Sequence, residues 1–131
     1  MIIILHQLHK KEFIQQTTKS SSIILRNNNL ISIGIKILVD GIIVSKLKYL
    51  SLSYNSNIDD QSIEHLICLL KISRTIGVLA ISNTRISDNG VQLLSDLLSS
   101  IDKNSSCSSN KRFYISFNKL ITDQAFKAII K

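Results

Sequence analysis

The sequence predicts an α/β fold in which strand-turn-helix units repeat along the chain and stack into a solenoid. Three observations carry the expectation. Residues 50–63 (LSLSYNSNIDDQSI) reappear in kind at 113–126 (FYISFNKLITDQAF), position for position. The apolar residue that closes each strand-turn recurs as Leu30, Ile58 and Ile86 at a step of 28, and Ile121 follows after 35. Within each step a period of two gives way to a period near 3.6, as a strand gives way to a helix. A unit of this size cannot bury its own apolar face, so the copies must pack on one another.

A single domain over 1–131 is expected, with units at about 22–46, 47–75, 76–110 and 111–131. Residues 1–21 fit a partial N-terminal helical half-repeat, with Leu5, Leu8, Phe13 and Ile14 as its apolar side. The strands open with Ile23, Leu50, Leu79 and Phe113, and Leu25, Leu52, Ile81 and Ile115 follow two places later. Alternate residues share one side of a strand, so both columns face the core. At the turn stand Asn28, Asn55 and Asn118, with Thr84 in the third copy. A buried carboxamide serves backbone donors and acceptors together. Thr84 offers less, which makes the third turn the loosest in expectation.

The pairs Asp59-Asp60, Ser87-Asp88 and Thr122-Asp123 then supply an oxygen for orphan helix N–H groups and negative charge at the positive helix end. Either member of a pair can be the cap. Four positions past each anchor come Gly34, Ser62, Gly90 and Ala125, all small, where the helix is expected to pass close to the strand layer. The columns Ile35, Ile63, Val91, Phe126 and Leu38, Leu66, Leu94, Ile129 and Ile42, Leu70, Leu98 give each helix one apolar stripe. The extra residues of the last step fall in 102–110, a Ser/Asn stretch expected to be a surface loop.

At 131 residues and 44% hydrophobic content the chain supports one core. The lack of Pro and the scarcity of Gly argue against a turn-rich all-β sandwich. The apolar opening at 1–5 is broken by His6, Gln7 and His9 before a signal-peptide core is complete. The stretch 31–44 carries Lys36 and Asp40 and falls short of the roughly 18 apolar residues of a membrane span. A cytoplasmic protein is the expectation, with Cys68 and Cys107 as free thiols. Those cysteines and His6, His9 and His65 lack the paired spacing of a zinc site, and no metal or cofactor is expected.

The net charge of +7 raises nucleic acid or an acidic surface as a partner, with Lys46, Lys48, Lys111 and Arg112 as its carriers. The cations occur singly or in pairs and never as a run of five or six, so a solvated basic surface is the simpler reading. Nucleic acid and membrane insertion are not expected. Catalysis finds little support. Asp59, Asp60, Asp88 and Asp123 are accounted for by helix starts, and no nucleophile-base arrangement or phosphate-cradling glycine loop stands out. Cys68 shares its column with Asp40 and Asp96, which places it on an outward helix face without evident activation.

With these columns in place, the chain over about 22–131 resembles a leucine-rich repeat protein of the ribonuclease-inhibitor type. The matching residues are Leu47-x-x-Leu50-x-Leu52-x-x-Asn55, Ile76-x-x-Leu79-x-Ile81-x-x-Thr84 with Ile86 after it, and Ile23-x-Leu25-x-x-Asn28-x-Leu30. The step of 28 lies within the 20 to 29 residues of such repeats. The second and fourth copies depart from the pattern by one extra residue between Asn and Ile, and the third by its Thr.

The resemblance implies a horseshoe segment with a parallel sheet on the concave side and helices on the convex side. It implies binding through strand residues that point away from the core: Ser22, Ile24, Arg26, Tyr49, Ser51, Ser53, Val78, Ala80, Ser82, Arg112, Tyr114 and Ser116. Among these Arg26, Tyr49, Ser51, Ser53, Arg112 and Tyr114 are the candidate partner-binding residues, Tyr and Arg because they dominate interface energetics. Tyr54 and Phe117, beside the turn, are expected to pack along the edge. The expected function is a non-catalytic scaffold that binds a protein partner. The alternatives are a basic nucleic-acid or acidic-surface binder, and regulation of a GTPase, which the resemblance alone suggests. No polar capping unit covers the last layer, which leaves room for end-to-end association or further repeats at the C-terminal end.

Overall fold

A computed structural model of the chain describes residues 21–42, 46–103 and 111–130. The expected half-repeat at 1–21 lies almost wholly outside the described residues, as do Cys107, His6 and His9. Four short strands, β1 (Ser22–Ile24), β2 (Tyr49–Ser51), β3 (Val78–Ala80) and β4 (Arg112–Tyr114), alternate with four helices. The helices are α1 (Ser32–Ile42), α2 (Asp60–Ile72), α3 (Asp88–Lys103) and α4 (Asp123–Ile130). The strands form one parallel sheet in the order β1-β2-β3-β4, and each helix packs on the next in the same order.

The register joins equivalent residues across copies: Ile23 to Leu50, Leu50 to Leu79, and Leu79 to Phe113. The columns read as core are core through the first three units, except that α3 buries Leu97 where Leu98 was expected, and Leu98 is half-buried. Ile23, Leu25, Leu50, Leu52 and Ile81 are fully buried, and Ile35, Leu38, Ile63 and Leu66 come down on them from the helices. Each such aliphatic side chain contributes about 1.5–3 kcal/mol of burial free energy. The fourth unit has one described neighbour instead of two, and its Phe113, Ile115 and Ile121 are only partly buried.

Asn55 and Asn118 act as the sequence led one to expect, whereas the Asn28 side chain only donates to Arg26 O at an exposed site. The Asn55 carboxamide is 1% exposed and donates to the carbonyls of Leu52 and, across the joint, Leu25. Its oxygen accepts from the backbone N–H groups of Asn28 and Leu30. Asn118 repeats this two joints later, donating to Ile115 and Ile81 and accepting from the Thr84 N–H. Asn55 and Asn118 therefore each complete the turn of the unit before. The extra residue in copies two and four closes a tight turn, in which the N–H of Ile58 donates to Asn55 O and that of Ile121 to Asn118 O.

Two expectations need correction. Gly90 is small because of the preceding helix, not the strand layer: a Cβ there would stand 2.5 Å from Asp60 Oδ1. Helix α3 runs on to Lys103, into the start of the stretch read as loop, because neither Gly nor Pro stops it before the Ser/Asn cluster.

The paired helix-start residues divide their work. Asp59, with an extended backbone, is the N-cap of α2 and accepts from the Ser62 N–H. Asp60, one place on, reaches the next unit and accepts from both the N–H (2.8 Å) and the hydroxyl (2.5 Å) of Ser87. Asp88 holds Thr122 in the same two ways. Asp60 and Asp88 are thus latches between units, and Gly90 leaves the room for Asp60.

Candidate functional site

The face of the sheet away from the helices is arranged in rows by the parallel register. One row runs Ser22, Tyr49, Val78, Arg112 and the next Ile24, Ser51, Ala80, Tyr114. Tyr114 (52% exposed) and Arg112 stand free in solvent, and Tyr49 is half-buried. Ser51 and Ala80 do not stand out as the outward alternation implied. They are 3% and 6% exposed, because short side chains on adjacent strands about 4.8 Å apart lie in the shadow of Tyr49, Val78 and Tyr114. Ser53 is also buried, since its hydroxyl turns across the joint to accept from the Ser82 N–H at 3.0 Å. The face is thus a shallow floor of small residues between the projecting Tyr49, Arg112 and Tyr114.

At the C-terminal ends of the strands the chain makes the same unusual turn four times. Asn27, Tyr54, Asn83 and Phe117 occupy one column, and all have positive φ, between 52° and 63° (57°, 62°, 53° and 58°). Asn tolerates this left-handed region, whereas bulky residues seldom enter it. The turn swings Tyr54 and Phe117 out of the packed layer, leaving them 49% and 79% exposed, so the expected edge packing does not occur.

A groove of about 940 Å³ runs past these rings. Arg26, Arg85 and Lys119 line it, and none of its described lining residues carries a carboxylate. The Arg26 guanidinium lies over the Tyr54 ring, 4.5 Å from its centroid, a cation-π contact. Of the six candidate binding residues, Arg26 borders this groove, Tyr49, Arg112 and Tyr114 belong to the sheet face, and Ser51 and Ser53 are buried structural members.

Sequence reasoning did not single out Arg85 and Lys119, and it assigned Tyr54 and Phe117 to packing. The available signal was the alternation of Asn with aromatics in a column just before the turn residue. Lys111, offered as a free cation, is committed to the scaffold: its ammonium donates to the carbonyls of Ile76 (2.6 Å) and Ser73 (3.3 Å), where α2 ends. Cys68 is exposed on α2, as are Asp40 and Asp96 on their helices. Among the described residues no three of His, Cys, Asp and Glu come together as a metal group, and no helix is long and apolar enough to cross a membrane.

No protein-family model matches the chain, and no curated protein matches it. The solved structure of the tropomodulin C-terminal domain from Caenorhabditis elegans is similar to it, with a TM-score of 0.63. The likeness covers 94% of this chain and 90% of that one at 17% identity, and it speaks to the repeat-like α/β fold.

Proposed function

We propose that the chain is a non-catalytic protein-binding module: a short leucine-rich-repeat solenoid of ribonuclease-inhibitor-like type that engages a partner on the concave side of its strand layer. The observation that carries this reading is the sheet face that none of the described helices covers. Parallel sheets ordinarily have both faces covered. Here the helices pack behind the strands, and the other face presents Tyr49, Arg112 and Tyr114 above a floor of buried small residues. A floor of small residues with projecting Tyr and Arg suits protein contact, since such anchors carry most interface energy. The likeness to a tropomodulin domain is compatible with an interaction module and with the absence of chemistry. The alternation of strand and helix, at steps of 28, 28 and 35, supports the subtype.

The test is affinity capture from the native cell extract at low and high salt, read by mass spectrometry. Tyr49→Ala together with Tyr114→Ala should remove the specifically captured partner while the far-UV circular dichroism of the protein is unchanged. Undiminished capture by the folded double variant overturns the assignment of the strand face.

A further inference from the structure

The groove at the strand ends adjoins that face at Ile24 but does not include its anchors, for neither Tyr49 nor Tyr114 lines it. Its composition is one-sided in charge: Arg26, Arg85 and Lys119 converge on it, and none of its described lining residues is acidic. Its aromatic rings are not explained by the fold. All four turns require the same left-handed residue, and units one and three meet the requirement with Asn27 and Asn83, the residue type suited to it. Units two and four place Tyr54 and Phe117 there instead, at a steric cost that the turn gives no reason to bear. Phe117 is 79% exposed and has no hydrogen-bonding group, so a ring face is all that it offers.

We infer that this groove binds single-stranded nucleic acid, with phosphates on Arg26, Arg85 and Lys119 and bases stacked on Tyr54 and Phe117. Stacking platforms in a basic groove are how single strands are held without sequence preference. The rings stand two strands apart, about 10 Å at the backbone by strand spacing, so they serve separate positions along one strand. Arg26 already covers one face of Tyr54 and leaves the other to a base. A duplex hides its base faces and would leave both rings idle. An acidic peptide would satisfy the cations but not call for a second, purely apolar ring. Around the groove, the backbone N–H of Thr84 is already held by Asn118, and the Thr84 hydroxyl faces the same carboxamide oxygen and Ile81 O. Asn27, Ser56 and Asn83 complete the groove's polar lining. The net charge of +7 adds long-range attraction.

The test is fluorescence anisotropy of labelled oligothymidylate and oligouridylate with the full chain. Both should bind at low salt. Three phosphate contacts at about 0.7 each predict a slope of about −2 in log affinity against log salt. Arg85→Gln should flatten the slope by about 0.7. Phe117→Asn should weaken binding by roughly tenfold. That substitution installs the residue of units one and three, so its denaturation midpoint should not fall, which separates loss of a ring from loss of fold.

Failure of both oligonucleotides to bind at low salt overturns the inference. So does binding indifferent to Phe117→Asn and Arg85→Gln. If a polyglutamate peptide binds as tightly and with the same sensitivity to Phe117→Asn, the groove is a peptide site and the inference falls. None of these results bears on capture through Tyr49 and Tyr114.

Discussion

Asn55 and Asn28 share a column and do different work. Asn55 bridges two units through five hydrogen bonds, four of them buried, whereas the Asn28 side chain donates at an exposed site to Arg26 O. Removing a carboxamide that leaves several buried backbone groups unpaired costs about 1–3 kcal/mol for each group left unsatisfied. Asn55→Ala should therefore lower stability by about 3 kcal/mol, and Asn28→Ala by less than about 1 kcal/mol, as read from urea denaturation. Phe117 presents the opposite case. Its left-handed backbone is disfavoured by about 1–2 kcal/mol for an ordinary L-residue, and Phe117→Asn should raise stability by about 0.5–1 kcal/mol. A measured loss would show that the exposed ring contributes to the fold. Thr84, expected to mark the loosest turn, is tied by its N–H to Asn118 Oδ1 at 2.7 Å, and the neighbouring Arg85 N–H donates to Ile58 O at 2.7 Å.

Between elements, the packing of α3 on α2 turns on a single missing methyl group. Ala in place of Gly90 gains up to about 1 kcal/mol of helix propensity. Its Cβ would also displace the Asp60 carboxylate, which is pinned by two bonds to Ser87 and cannot swing aside without breaking them. Hydrogen bonds to a charged group contribute about 1.5–3 kcal/mol each, so Gly90→Ala should destabilise by about 1–2 kcal/mol net. In an Asp60→Ala background the same change should be neutral or stabilising. A double-mutant cycle with a coupling below about 0.5 kcal/mol would contradict this account. Much at this scale was legible in the sequence. Leu50 with Leu52, and Ile63 with Leu66 and Leu70, announced strand and helix because their spacing alone decides which side they share. Which of Asp59 and Asp60 caps the helix was not legible. The answer depends on the backbone at entry, where Asp59 is extended and Asp60 helical, and adjacent acids give no sign of it.

Over the whole molecule, burial is deep in the first three units and falls off in the fourth. The strands β2 and β3 are paired on both sides, while among the described residues β1 and β4 are each paired on one. Native-state hydrogen exchange should show the amides of 49–51 and 78–80 opening last and those of 112–114 earlier. Uniform protection across the sheet would mean that the units do not open in order of their neighbours. The site was less legible than the fold for a related reason. Ser51, Ser53 and Ala80 are hidden by the size and reach of residues in other units, and no alternation within one strand records that. Tyr54 and Phe117 are presented by a positive φ that aromatic side chains do not forecast. The inter-unit bonds also give the chain a direction in time. Asn55 supplies what unit one lacks, Asp60 waits for Ser87, and Asp88 for Thr122, so each unit is completed by residues made after it. At ribosomal rates of about 5–20 residues per second, a step of 28 residues takes on the order of one to six seconds. During synthesis the turn of unit one therefore remains open for seconds, with its backbone groups unsatisfied, until Asn55 leaves the ribosome.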